Sequence, residues 1–179
     1  KIKFKIFRSV VKKNLVLLGM MAVGKTALGK IVAKKQELKF IDIDACIEKK
    51  NSMTIREIFK KKGEKFFRME EEKEVLKSLE KNNCVIALGG GAFMNKTVRE
   101  NVLKNAISIW LNVDIKTLNK RIKWNQKRPL LKEGNNQKKL AEIYTKRKDI
   151  YKLADHKITC DKLSKDNIVK KIIALYEKY

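Results

Sequence analysis

The sequence predicts an α/β protein of three layers, α/β/α, built on a five-stranded parallel sheet. Two patterns lead there. Short apolar runs recur at 14–18 (NLVLL), 39–43 (KFIDI), 84–88 (CVIAL), 107–111 (ISIWL) and 156–160 (HKITC). Helical patterns separate them, at about 25–36, 54–61, 64–81, 95–104, 114–124, 137–153 and 164–178. The first, third and fourth runs are almost continuously apolar, as strands buried on both faces are. Strands that alternate with helices in this way form a parallel sheet. A chain of 179 residues suits one such domain.

Residues 1–13 (KIKFKIFRSVVKK) are basic and alternating, which suits a leader or an edge segment, and they lack the apolar centre of a secretory signal. Residues 14–179 make the single domain. Its first strand runs into GMMAVGKT, Gly19 to Thr26. This is the P-loop pattern in its required place, after a buried strand and before a helix. In that setting the backbone N–H groups of the loop and helix start (Ala22, Val23, Gly24, Lys25, Thr26 and Ala27) converge on phosphate oxygens. Lys25 is expected to bridge β- and γ-phosphates, and the Thr26 hydroxyl to ligate Mg2+.

The second strand ends in FIDIDACIE, with Asp42 and Asp44 two residues apart. Alternation along a strand would project both carboxylates from one side, beside the P-loop crevice. One is then expected to hold the hydration shell of Mg2+ and the other to meet an acceptor hydroxyl. Thr54–Glu57 (TIRE) is a capping box opening the next helix. In GEKFFRMEEE, Arg68 and Glu71 stand at i, i+3 and can pair. Gly89, Gly90 and Gly91 follow the third strand directly, where bare backbone permits a ligand to approach closely and its N–H groups to bind an anion. The polar stretch 123–139 holds the chain's single proline, Pro129, and reads as a lid between two helices.

Seven arginines stand against 37 lysines. Where lysine is the default cation, an arginine points to a need for a planar, bidentate fork. Four of the seven fall near the expected crevice: Arg68, Arg121 ending the helix before the lid, Arg128 within it and Arg147 in the helix after it. The net charge of +24 raises the rival reading of a nucleic-acid binder. The lysines are spread over nearly every segment without interleaved aromatics, so no specific nucleic-acid partner is expected, only weak, salt-sensitive attraction to polyanions. Cys46, Cys84 and Cys160 are widely spaced, which argues against zinc or a disulfide framework and for reduced, cytoplasmic thiols. No apolar run approaches the roughly 18 residues of a membrane span. His156, Trp110 and Trp124 read as structural residues.

Taken in order, the P-loop, D-x-D, F-R with acidic residues, G-G-G, R-P-L-L and a later arginine resemble shikimate kinases, from Leu15 to about Tyr179. The resemblance implies a P-loop kinase with a nucleoside-monophosphate-kinase-like core, a small substrate-binding subdomain and a mobile lid. It implies transfer of the γ-phosphate of ATP to the 3-hydroxyl of shikimate with Mg2+, by a cytoplasmic monomer. By the same resemblance Asp44 meets that hydroxyl as base or orienter, and Asp42 holds Mg2+ through water. Arg68 and Arg147 clamp the shikimate carboxylate, Gly90 touches the substrate, Arg128 reaches the phosphates and Arg121 lies near adenine. Gluconate kinases and nucleoside-monophosphate kinases share the P-loop and lid but are not expected to combine these motifs. One residue departs from the pattern: Ala22 stands where the resemblance implies glycine. If that position needs a positive φ, alanine costs about 1 kcal/mol there and nucleotide affinity is expected to weaken.

Overall fold

A computed structural model of the chain describes residues 12–123 and 136–179; residues 1–11 and 124–135 lie outside the described part. Five parallel strands, β1 (Asn14–Leu18), β2 (Lys39–Asp42), β3 (Cys84–Ala87), β4 (Ala106–Asn112) and β5 (His156–Thr159), form one sheet in the order β2-β3-β1-β4-β5. The central strand β1 pairs with β3 (Leu15 with Val85) and with β4 (Leu15 with Ile107). All five of its residues are buried, which explains why NLVLL carries no charge. Asn14 earns its buried position with hydrogen bonds: its amide donates to Leu79 O and Lys81 O, and its Oδ1 accepts from Cys84 N.

The helices are α1 (Lys25–Lys35), α2 (Ile43–Asn51), α3 (Ile55–Lys61), α4 (Gly63–Leu79), α5 (Lys96–Asn105), α6 (Ile115–Lys123), α7 (Asn136–Tyr151) and α8 (Lys165–Tyr176). The step from β1 to β2 runs one way across the sheet, and the step from β3 to β4 runs the other. Right-handed crossovers therefore lay α1 and α5 on opposite faces, giving the three layers. Helix α8 returns beside α1, and α4 packs on α5. The expected capping box is present: Thr54 Oγ1 accepts from Glu57 N, and Glu57 Oε2 accepts from Thr54 N at 2.8 Å.

Two expectations need correction. The second strand stops at Asp42, and an unforeseen helix, α2, begins at Ile43. Asp42 is its N-cap, with Oδ1 accepting from Ala45 N at 3.2 Å, and Asp44 lies in its first turn. The two carboxylates thus do not share one side of a strand by alternation; a strand-to-helix corner sets their directions. The stretch expected as a loop, 123–139, is helical at both ends, because α6 runs through Lys123 and α7 starts at Asn136. Of the segment 1–13, the two described residues are tied down: Lys12 N donates to Asn83 Oδ1, and the Tyr176 hydroxyl donates to Lys13 O. Among the described residues no helix is long and apolar enough to cross a membrane.

Candidate active site

The carboxyl ends of β1, β2 and β3 meet at one edge of the sheet, and the chemistry-bearing residues gather there. From β1 the chain turns through the P-loop into α1. Gly24 is the helix N-cap at φ +98°, and Ala22 lies in the left-handed region at φ +61°. The condition foreseen for position 22 therefore holds. The Lys25 ammonium donates to Gly19 O at 2.8 Å and Met20 O at 2.9 Å, so its charge lies along the loop. Thr26 Oγ1 donates to Asp42 Oδ2 at 2.6 Å, joining the P-loop helix to the end of β2. Arg121 reaches over from α6, with Nη1 3.4 Å from Ala22 O and 3.5 Å from Val23 O.

The glycine stretch after β3 forms the other half. A Cβ on Gly91 would stand 2.6–3.0 Å from the Arg68 guanidinium. One on Gly89 would stand 2.9 Å from Asp44 Oδ1 and would collide with Glu71 Oε1. Only bare backbone fits between these groups. Arg147 Nη1 and the Tyr151 hydroxyl both donate to Gly90 O, the arginine at 2.9 Å. Gly90 also abuts the P-loop, since a Cβ there would lie 3.3 Å from Met21 N. Two arginines, Arg68 and Arg147, and two acids, Asp44 and Glu71, thus surround three peptide units pressed against the P-loop.

The expected Arg68–Glu71 pair is present at 2.7 Å, with Glu64 Oε1 3.1 Å from Nη2. Glu71 is only 2% exposed, so this is not a surface pair. Burial pushes its pKa up and the nearby Asp44 charge adds to that, while Arg68 and Arg147 pull it down without reversing the shift. Burial acts to lower the pKa of Arg68, but the charge and hydrogen bond of Glu71, supported by Glu64, more than offset it. Burial drives the Tyr151 phenol up to about 12, so it remains a donor.

The structure brings together Ala22, Val23, Gly24, Lys25, Thr26, Ala27, Asp42 and Arg121 on the P-loop side, and Asp44, Arg68, Gly89, Gly90, Gly91 and Arg147 on the other. Arg128 lies outside the described residues, as does Trp124. Trp110 is buried in the core, and His156 meets the Tyr179 hydroxyl at 3.1 Å, away from the crevice. One participant, Tyr151, went unforeseen, as did the burial of Glu71. Tyr151 could have been found from its i+4 spacing to Arg147. The burial of Glu71 had no signal in a run of three glutamates.

Thr26 and Asp42 offer two hard oxygen donors side by side at the mouth of the phosphate cradle, a set that fits Mg2+, which prefers one or two protein oxygens with phosphates and waters. A P-loop, the Thr26–Asp42 oxygen pair beside it and a facing pair of arginines on one parallel sheet define a P-loop kinase of the small-molecule class. The chain belongs to the shikimate kinase family: the family model "Shikimate kinase" matches residues 21–177. A shikimate kinase from Sulfurihydrogenibium sp. is 38% identical over 161 residues, 90% of this chain and 96% of that protein. One from Bartonella henselae is 38% identical over all 179 residues, covering 85% of its own length. Among solved structures, the shikimate kinase of Acinetobacter baumannii in complex with shikimate superimposes with a TM-score of 0.89 at 30% identity, covering 93% of this chain and 94% of that one. A gluconokinase from Sinorhizobium meliloti shares the fold alone, with a TM-score of 0.57 at 12% identity.

Proposed function

We propose that this chain transfers the γ-phosphoryl group of ATP to the 3-hydroxyl of shikimate, with Mg2+ as the required ion. The observation that carries the reading is the glycine loop: the guanidinium groups of Arg68 and Arg147 converge on Gly91 and Gly90, and Gly90 abuts the P-loop. A carboxylate held by two arginine forks would keep its ring against the cradle that presents the phosphate.

In this reading the backbone of Ala22–Ala27 cradles the phosphates, and Lys25 exchanges the carbonyls of Gly19 and Met20 for β- and γ-phosphate oxygens. Mg2+, when bound, neutralises charge on the β- and γ-oxygens; Thr26 and Asp42 are the residues that would hold it, Asp42 through water. Asp44, beside Gly89, takes the proton of the acceptor hydroxyl or orients it for in-line attack. Gly89, Gly90 and Gly91 let the substrate approach backbone, Arg121 flanks the adenine, and Arg128 closes over the phosphates from a lid. ATP and shikimate are the partners, with no specific nucleic acid, and the enzyme works as a monomer in the cytoplasm. Residues 43–79, which hold α2, α3 and α4, serve as the acceptor-binding subdomain.

The test is ADP release from ATP and Mg2+ with shikimate, with gluconate, with nucleoside monophosphates and with no acceptor. Stimulation by shikimate alone is expected. Turnover with gluconate or a nucleoside monophosphate but not with shikimate would sink the assignment.

A further inference from the structure

Helix α7 carries Arg147 and, one turn later, Tyr151, so the two side chains leave one helix face. Both end on one atom, the carbonyl oxygen of Gly90, which has two lone pairs and accepts both donors at once. The neighbouring peptides are held by backbone: Leu88 N donates to Leu17 O, and Ala92 N donates to Gly89 O. The Gly90 carbonyl is instead held by side chains, in a stretch of three glycines with no side chains of their own.

The two donors differ in how firmly they are placed. Arg147 is half-buried on a long, flexible stem. Tyr151 is 1% exposed, with its ring 5.7 Å from that of Trp110, which is itself buried in β4. The sulfur of Met20 lies 3.9 Å from the Tyr151 hydroxyl and closes the pocket. A tyrosine fixed by the sheet has little freedom to leave its acceptor, whereas the arginine has much. High phenol pKa, driven by burial, keeps the hydroxyl a donor throughout the working range.

We propose that Tyr151 is a positioning residue for acceptor binding, fixing the Gly90 carbonyl and through it the direction in which Arg147 presents its fork to the substrate carboxylate. The inference rests on the reading of Arg147 as one arm of the carboxylate clamp. Tyr151 touches neither substrate; it acts through Gly90 and Arg147. Its loss therefore weakens shikimate binding and leaves the phosphate cradle alone, because Lys25 is held by the carbonyl of Met20 and not by its sulfur.

A four-protein kinetic cycle tests this: wild type, Tyr151→Phe, Arg147→Lys and the double variant. Tyr151→Phe removes one oxygen and is expected to raise the shikimate KM about five- to tenfold, the scale of one hydrogen bond. Its kcat and ATP KM stay within about twofold of wild type, and in the Arg147→Lys background the same change has less than about a twofold effect, since its route is already cut. Tyr151→Met, which fills similar space without an oxygen, repeats the pattern and guards against a folding defect in the phenylalanine variant. If Arg147→Lys raises the shikimate KM while Tyr151→Phe leaves it unchanged, the positioning role falls and the clamp stands. If Arg147→Lys itself changes nothing, the clamp reading fails, and this inference with it. An equal Tyr151→Phe effect in both backgrounds, or a methionine variant that departs from the phenylalanine one, assigns Tyr151 to packing alone.

Discussion

Residue 22 carries a methyl group at φ +61°, where an L side chain crowds its own backbone and glycine does not. The strain is on the order of 1 kcal/mol, and it sits in the loop that faces the nucleotide. Ala22→Gly is expected to lower the KM for ATP by up to about fivefold, the equivalent of that strain. An unchanged KM would show that alanine holds the cradle as well as glycine. This strain was legible in the sequence because the P-loop pattern fixes the backbone around it. Glu71 was half legible. Its i, i+3 partner was evident from spacing, but its burial was not, because three consecutive glutamates look like a solvated helix face. The burial involves residues distant in the chain: its Oε1 faces Gly89, where an added Cβ would collide with it. Tyr151 was hidden for a similar reason: its acceptor is a backbone carbonyl 61 residues away, and carbonyls leave no trace in a residue pattern.

Helix α2 is the element the sequence concealed. FIDIDACIE begins as strand-like alternation, and the apolar pair Ile43 and Ile47, both fully buried, continues it at helical spacing. The switch happens at Asp42, which ends β2, caps α2 and accepts from Thr26 with its second oxygen. These roles separate by substitution. Asp42→Asn keeps an oxygen for the cap, so the Tm stays near that of wild type while the Mg2+ concentration needed for half-maximal rate rises. Asp42→Ala loses the cap as well and is expected to destabilise by about 1 kcal/mol. Equal Mg2+ requirements in Asp42→Asn and wild type would remove Asp42 from the cation site. Helix α4 yields a pH signature. A carboxyl whose folded pKa lies above its unfolded one binds a proton on folding, so its contribution to stability is largest at low pH and declines as pH rises through the folded pKa. Glu71 is such a group, shifted up from 4.5 by burial first of all. Glutamine lacks the decline, so the Tm of Glu71→Gln relative to wild type is expected to climb as pH rises above about 4.5. Thermal melts giving parallel pH profiles would contradict this.

At the scale of the whole molecule, the chain carries a net charge of +24 and its two proposed substrates are both anions. The lysines need no individual partner to act together as a field. The kcat/KM for shikimate is expected to fall severalfold between about 20 and 200 mM KCl, with kcat nearly flat, as the Debye length shrinks. A salt-independent kcat/KM would leave the charge without a kinetic role. The strand rhythm that announced the three layers was legible because parallel strands buried on both faces must be apolar; the strand order was not, since nothing local to NLVLL records which runs flank it. That order has a consequence during synthesis. Strand β1 leaves the ribosome first, yet one of its two neighbours, β4, ends only at Asn112. At ~5–20 residues per second, this fully buried strand waits on the order of five to twenty seconds with an open edge. Until then the nascent chain offers a chaperone, or another chain, the same five residues that later anchor the phosphate cradle.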